Sequence, residues 1–205
     1  MRLGAVIGQG PMLDGATWIS AAIEAPGVIG HYSQFRRVVL GEFNGQVTPR
    51  LQAIYGTFQS TGISVEISAD IRTVLWSKLV FIAAVGAIGS LTRVLFGEFR
   101  QIKETRAVLQ AAIAEIIAVG QANGAKLEAA LAENTLAFID QSAAELKPSL
   151  QRDIEAGRVS ELESLIGVVV RLGAEAGVPT PVMSFAYAML KPGLLQAQGK
   201  LAMVN

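Results

Sequence analysis

One lysine stands alone inside a long apolar segment. Lys78 is the only charged residue between Arg72 and Arg93. Its neighbours at the helical spacing of three and four residues are all apolar, namely Val74, Leu75, Phe81 and Ile82. Burying an unpaired ammonium group costs several kcal/mol, so the side chain either lies along apolar surface with its head in water or enters a cleft that needs a cation. In a dry cleft, an ammonium group can stabilise negative charge on an oxygen and donate a proton.

Two polar residues later in the chain could act in the same cleft. Glu161 is expected in the first turn of a helix, where the macrodipole stabilises a carboxylate whether or not it contacts a ligand. Ser149 follows Pro148, so its hydroxyl could cap a helix or bind a ligand. For Glu161 and for Ser149, a structural role at a helix start and a role in ligand binding both stay open.

Other polar residues point less clearly to chemistry. Asp153 lies four residues after Ser149 and could share its helical face, but we expect it to pair locally with Arg152 or Arg158. His31 lies in strand context and is expected to be an ordinary surface or core histidine rather than a proton shuttle.

Two blocks of sequence resemble the motifs of one enzyme family. Trp76-Ser77-Lys78-Leu79-Val80, followed by an apolar stretch that ends in Leu91-Thr92-Arg93, is similar to the catalytic-lysine helix of the ketopantoate reductase family. The blocks Ser149-Leu150-Gln151-Arg152-Asp153-Ile154 and Ser160-Glu161-Leu162-Glu163-Ser164-Leu165-Ile166-Gly167 resemble the later motif, in which a serine and a glutamate line the substrate cleft. The resemblance extends from about Leu13 to Lys191.

The resemblance implies a 2-dehydropantoate 2-reductase-like oxidoreductase that reduces a 2-keto acid with NADPH (cofactor NADP). It implies that Lys78 is the catalytic lysine, that Glu161 contacts the substrate and orients the lysine, and that Ser149 binds the substrate. Ile82 and Gly86 stand where the family usually has asparagines, and each lost polar contact is worth about 0.5–1.5 kcal/mol. A different 2-keto acid and lost activity are therefore both open.

Composition excludes several classes of protein. With 51% hydrophobic and 17% charged residues, the 205-residue chain is not disordered. Seventeen basic and seventeen acidic residues give no net field that would attract nucleic acid. The absence of cysteine excludes disulfides and thiolate nucleophiles, and the single histidine excludes a multi-histidine metal site, so we predict no metal.

The apolar segment around Lys78 raises the question of a membrane span. A transmembrane helix over residues 73–92 is disfavoured because a lysine near its centre costs about 2.5–3.5 kcal/mol on insertion scales. The start of the chain does not resemble a secretory signal. We therefore expect a cytoplasmic protein without a membrane partner, and the apolar excess favours a homo-oligomer, a dimer.

Local patterns predict a small β-rich piece first. Strands are predicted over residues 16–24 and 28–33, joined by the turn Ala25-Pro26-Gly27, and a third strand over 35–43. Thr48-Pro49 predicts the start of a helix that stops near Gly62. A short strand is predicted over 63–67.

From residue 68 onward the pattern is helical. Helices are predicted over 69–84, over 103–123 with Gly124 as the stop, and as one or two helices over 127–146. A capping box of Ser160 and Glu163 should open the next helix, which Gly177 closes, and Thr180-Pro181 should open the last. Gly86 and Gly89 should permit close helix packing.

The predicted fold class is mainly α (α+β), with two domains. Residues 1–67 are expected to form a β-rich remnant of a nucleotide-binding domain, and residues 68–205 a helical substrate and dimerisation domain. By resemblance, the first corresponds to the end of a Rossmann-like domain. The second is like the C-terminal domain of 6-phosphogluconate dehydrogenase-type enzymes.

The segment Gly8-Gln9-Gly10-Pro11-Met12-Leu13 is the nearest match to a dinucleotide-binding turn. Its last position must be small and must open a helix, whereas here it is Leu13, followed by strand residues. We therefore expect that the chain lacks most of the cofactor-binding domain and binds NADPH weakly or not at all. On its own it should be inactive. We assign no cofactor-binding residue. A fragment and a naturally short homologue are both compatible. The alternative function is a non-catalytic helical dimerisation or ligand-binding module derived from such an enzyme.

Overall fold

The computed structural model describes residues 6, 8, 10, 12–32 and 36–201. The chain divides into two compact units, Met1–Leu75 and Trp76–Asn205. This division falls inside one continuous helix, Ile71–Thr92. The domain boundary expected between residues 67 and 68 stays a prediction.

A three-stranded sheet forms the centre of the first unit. Its strands are β1 (Asp14–Trp18), β4 (Arg37–Gly41) and β5 (Ser64–Ile67), in the order β1-β4-β5. Strand β1 is antiparallel to β4, whereas β5 is parallel to β4. Helix α1 (Pro49–Gln59) connects β4 to β5, as parallel strands require a crossover. The predicted helix and the predicted strand over 63–67 are confirmed.

Helix α1 begins as its sequence predicts. The Thr48 side chain accepts a hydrogen bond from the Leu51 backbone N–H at 3.3 Å, and Pro49 occupies the first helical turn. Capping satisfies one of the amides that a helix start leaves without a partner.

A separate two-stranded sheet precedes β4. Strands β2 (Ala21–Ala25) and β3 (Val28–His31) are antiparallel, and Gly27 in the turn between them has φ = 80°. The predicted turn is confirmed, but the single strand predicted over 16–24 is wrong because those residues belong to two sheets. Ala16 in β1 lies opposite Val39 in β4, and both are buried.

Two other predictions concern residues that are only partly described. The third strand, predicted over 35–43, is confirmed as the shorter β4 (Arg37–Gly41), and residue 35 lies outside the described residues. The glycine-containing segment at 8–13 is also described only in part, because residues 9 and 11 lie outside the described residues.

A buried carboxylate organises one end of the first unit. Glu42, only 6% exposed, accepts hydrogen bonds from Arg50 Nε at 2.8 Å, Arg50 Nη2 at 2.6 Å and Thr48 Oγ1 at 2.5 Å. The same guanidinium donates to the carbonyl oxygens of Gly10 and Met12. The hydrogen bonds from Arg50, and then the one from Thr48, lower the pKa of Glu42 from 4.5 to about 2.

This pKa predicts an acid-sensitive first unit. Because folding lowers the pKa of Glu42, its ionised form stabilises the fold above about pH 4.5, and that stabilisation is lost as the pH falls towards 2. Glu42→Gln should therefore destabilise the protein more at about pH 6 than at about pH 3, as measured by urea denaturation. The exposed Glu128→Gln serves as control. An equal loss of stability at both pH values would contradict the prediction.

The second unit is helical. Its elements are α2 (Ile71–Thr92), which begins in the first unit, then α3 (Phe96–Phe99), α4 (Lys103–Ala122), α5 (Leu131–Gln141), α6 (Ser149–Glu155), a π-turn (Glu163–Gly167), α7 (Val168–Ala176) and α8 (Pro181–Ala197). The π-turn runs directly into α7.

Helix α2 is longer than predicted. It ends at Thr92 rather than near residue 84, because Gly86 and Gly89 are buried against α6. A Cβ at Gly86 would lie 3.2 Å from the Leu150 side chain, and one at Gly89 would lie 2.5 Å from Gln151 Oε1. The close packing outweighs the helix cost of glycine, about 1 kcal/mol each, and confirms the role predicted for both glycines.

Helix α2 is also the one described helix that is long and apolar enough to cross a membrane by composition. However, 56% of its most apolar 18-residue stretch is buried inside the protein. This burial is what a core helix requires, since the apolar side chains already have protein partners.

The remaining helix ends agree in part with the predictions. Gly124 follows α4 with φ = 81°, and Gly177 ends α7 with φ = 69°, so both stops are confirmed. Pro181 begins α8, also as predicted. Between residues 127 and 146, the structure has one helix, α5.

The predicted capping box is wrong. Ser160 Oγ is buried and finds no hydrogen-bond partner among the described residues, and the Glu163 side chain bonds to α8 instead. Long-range contacts thus replace the local cap.

One apolar core joins the helices of the second unit. Its fully buried side chains come from most of the helices and include Val80, Phe99, Ile113, Ile139, Leu150, Leu162, Ile166 and Met183. The start of α8 is held separately by Glu115 of α4, whose carboxylate accepts hydrogen bonds from the Val182 and Met183 amides at 2.9 Å each.

Candidate active site

Lys78 lies half-buried in the first half of the apolar helix α2. Burial lowers the pKa of its ammonium group, and the Glu161 carboxylate acts in the opposite direction by stabilising the charge. The two side chains, which are distant in the sequence, therefore interact electrostatically within the second unit. The charge of Lys78 is partly removed from water and is stabilised electrostatically by a carboxylate.

Glu161 is exposed and lies just before the π-turn, rather than within a regular first turn. Its carbonyl oxygen accepts hydrogen bonds from the Ser164 and Leu165 amides, both at 3.0 Å. The next residue, Leu162, is fully buried in the core. The backbone of Glu161 is thus fixed, while its side chain remains accessible to a ligand.

Ser149 is the exposed first residue of α6. No side chain in the described part of the chain caps this helix, so the capping role considered for Ser149 is wrong. The following residue, Leu150, packs against Gly86, which lies two turns after Lys78 in α2. Gly86 lies eight residues after Lys78, which is about 12 Å along an α-helix. The start of α6, with Ser149, therefore packs beside the second half of α2, whereas Lys78 lies in the first half.

Asp153 has the structural role expected for it. Its Oδ1 accepts hydrogen bonds from Arg158 Nε at 3.0 Å and Nη2 at 2.7 Å, so its partner is Arg158 and not Arg152. His31 is exposed on β3 in the first unit. Among the described residues, no group of side chains could hold a metal ion.

The structure also has a polar cluster, centred on Glu163 two residues after Glu161, that the sequence does not predict. The Tyr187 hydroxyl donates to both carboxylate oxygens of Glu163 at 3.0 Å, and the Lys191 ammonium donates to Glu163 and, at 2.8 Å, to the Tyr187 hydroxyl. The Glu163 carboxylate raises the pKa of Lys191. The available signal was the spacing of Tyr187 and Lys191, which places them on one helical face.

The glycine-containing segment before β1 does not fit a dinucleotide phosphate. Strand β1 begins at Asp14, directly after Leu13, so no helix follows the turn. A pyrophosphate site of this type needs the free amides of a helix start. The described residues of this segment therefore give no account of cofactor binding.

The helical unit matches one family. The family model for the ketopantoate reductase PanE/ApbA C terminal matches residues 70–193. The chain belongs to this family. The predicted family and the predicted fold class, a few strands followed by a helical domain, are both confirmed.

Individual members of the family resemble the chain over most of its length. The uncharacterized oxidoreductase YkpB of Bacillus subtilis is 30% identical over 190 residues, which cover 93% of this chain and 63% of that protein. The 2-dehydropantoate 2-reductase of Caulobacter vibrioides is 32% identical over 73% of this chain and 51% of its own length. The chain thus spans half to two thirds of the relatives that it matches.

Several solved structures have the same fold as this chain. The 2-dehydropantoate 2-reductase of Methylococcus capsulatus superposes with a TM-score of 0.85 at 28% identity, covering 98% of this chain and 64% of that one. A ketopantoate reductase structure from Ralstonia solanacearum gives 0.86 at 26% identity, with coverages of 98% and 60%. D-mandelate dehydrogenase, solved with NADH, shares the fold at 16% identity and a TM-score of 0.82. The relatives are 2-dehydropantoate 2-reductases or related oxidoreductases.

Proposed function

We propose that this chain supplies the substrate side of an enzyme that reduces a 2-keto acid, of the 2-dehydropantoate 2-reductase type. The observation that carries the proposal is the half-buried Lys78, whose charge the Glu161 carboxylate stabilises. NADPH, the cofactor implied by the family, would supply the hydride. The described residues before β1 do not account for its binding, and the roles proposed for this chain belong to Lys78, Glu161 and Ser149.

Lys78 is the proton donor in this proposal. Reduction of a ketone places negative charge on its oxygen, and an ammonium group in a site of low dielectric stabilises that charge better than water does. Because burial lowers the pKa of Lys78, the group gives up its proton more readily than an exposed lysine would. Glu161 keeps the amine protonated before the reaction and holds it in place.

Ser149 binds the carboxylate or a hydroxyl of the substrate in this proposal. It is exposed at the start of α6 and is not used as a helix cap. Ile82 is apolar, and Leu150 fills the space beside Gly86. The substrate pocket therefore offers no amide at these two positions, which favours a 2-keto acid with an apolar side chain over ketopantoate.

The test is turnover by the protein in the full length that its gene encodes. NADPH consumption should be measured with ketopantoate, with 2-oxoisovalerate, which lacks the hydroxymethyl group, and with the matching aldehyde, which lacks the carboxylate. We expect reduction of at least one 2-keto acid and none of the aldehyde. A folded protein that reduces no 2-keto acid would contradict the proposal and favour the non-catalytic dimerisation or ligand-binding module.

Three further properties belong to the proposal. The enzyme would be a homodimer, would act in the cytoplasm, and would have neither a nucleic acid nor a membrane as partner. The ketopantoate reductase of Staphylococcus aureus, which shares the fold at 18% identity with a TM-score of 0.81, is described as dimeric. The balanced charge of this chain supports the exclusion of nucleic acid.

A further inference from the structure

Three side chains tie the π-turn to helix α8. Glu163, the first residue of the turn, accepts hydrogen bonds from the Tyr187 hydroxyl and the Lys191 ammonium. Lys191 also donates to the Tyr187 hydroxyl, and its Nζ lies 5.0 Å from the centre of that ring. Each member contacts the other two, so the network resists movement of the π-turn along α8.

The local packing is built around this network. A Cβ at Gly167, the last residue of the π-turn, would lie 2.9 Å from Glu163 Oε2 and 2.9 Å from Tyr187 Cε2. Glycine at this position therefore lets the carboxylate and the ring meet. Because Glu115 holds the start of α8 through two backbone amides, the network is attached to a helix that is itself fixed.

A π-turn changes the direction in which the preceding residue points. An α-helix turns by about 100° per residue, and a π-turn adds one residue to the helix. Residues before the turn are thus rotated by about 100° relative to an uninterrupted α-helix. Glu161 is bonded through its carbonyl oxygen to the amides of Ser164 and Leu165, within the turn. Its orientation therefore follows the turn.

We infer that Glu163, Tyr187 and Lys191 are positioning residues, whose network holds the π-turn and thereby fixes the position of Glu161 relative to Lys78. The importance of this arrangement for catalysis rests on the proposed function, whereas the arrangement itself does not. π-turns occur frequently at functional sites, and this one, which opens the helix that continues as α7, begins two residues after Glu161 of the candidate site.

The test is to measure the pKa of Lys78 in the Lys191→Met variant by NMR titration of the lysine side chains. If the network were only an ion pair, losing a positive charge would raise the pKa of Lys78. If the network positions Glu161, its loss lets that carboxylate move away. The pKa of Lys78 then falls, because in the wild type Glu161 raises this pKa against the effect of burial. We expect a fall as large as in Glu161→Gln. A rise or no change would overturn the inference.

Matched variants separate the network from general effects. Lys191→Arg keeps the charge and the donors, so it should restore the pKa of Lys78. Arg171→Met removes a charge from the exposed pair with Glu175 in α7, at 3.4 Å, and should leave it unchanged. If circular dichroism finds Lys191→Met unfolded, Tyr187→Phe removes one hydroxyl only, and the pKa of Lys78 should again fall.

The same variants distinguish this inference from the proposed function. If the pKa of Lys78 falls in Lys191→Met but the wild type reduces no 2-keto acid, the positioning role stands and the reductase is refuted. An unchanged pKa, with turnover that depends on Lys78, would keep the reductase and refute the positioning role. If both stand, Lys191→Met should lower kcat more than it raises KM, since Glu161 acts on the reacting group.

Discussion

Lys78→Met should lower kcat for 2-keto acid reduction by about 10²- to 10⁴-fold, the usual contribution of a positioned general acid. Methionine fills similar space but neither donates a proton nor stabilises an oxyanion. The loss should appear in kcat and kcat/KM alike, because the interaction forms in the transition state. Steady-state kinetics with the preferred 2-keto acid would measure it.

Stability provides the control for this variant. Lys78 is half-buried, so replacing its ammonium with an apolar group should leave the free energy of unfolding unchanged or slightly higher. Lys103→Met, at the exposed start of α4, should change neither turnover nor stability. If Lys78→Met kept turnover within a few-fold of the wild type, Lys78 would not be the proton donor.

Features encoded by neighbouring residues could be predicted from the sequence. Thr48 and Pro49 begin α1, and Gly124 ends α4, because capping and positive φ depend only on a few adjacent residues. Lys78 could also be identified as a candidate site residue from the local sequence, since it is the only charged residue between Arg72 and Arg93. The resemblance connected it to Glu161.

Features that depend on distant partners could not be predicted. The periodicity of residues 16–24 fits one strand, but only the pairing of β1 with β4 shows that it breaks in two. Glu163 fits a capping box by spacing, yet Tyr187 and Lys191, 24 and 28 residues later, offer stronger donors. The local pattern predicts too early an end for α2, because its glycines are stabilised by α6, which lies some 60 residues further along the chain.

Phe99→Ala should destabilise the helical unit by about 3–5 kcal/mol. The Phe99 side chain is fully buried, and its ring lies 5.3 Å from that of Phe96. Truncation removes the apolar contacts and leaves a cavity that the surrounding helices fill only in part. Single domains are stable by about 5–15 kcal/mol, so this loss is a large fraction of the total. Urea denaturation followed by helical circular dichroism would measure it.

Phe185→Ala is the matched control, because that ring is 60% exposed and its loss should cost little. The comparison also separates scaffold from chemistry. The core that contains Phe99 includes Val80, next to the lysine turn, and Leu162, next to Glu161, so it holds both site elements without contacting substrate. Below its melting temperature, Phe99→Ala should therefore retain most turnover, whereas Lys78→Met loses turnover and retains stability. If Phe99→Ala lost activity while fully folded, the site would depend on the exact packing of the core.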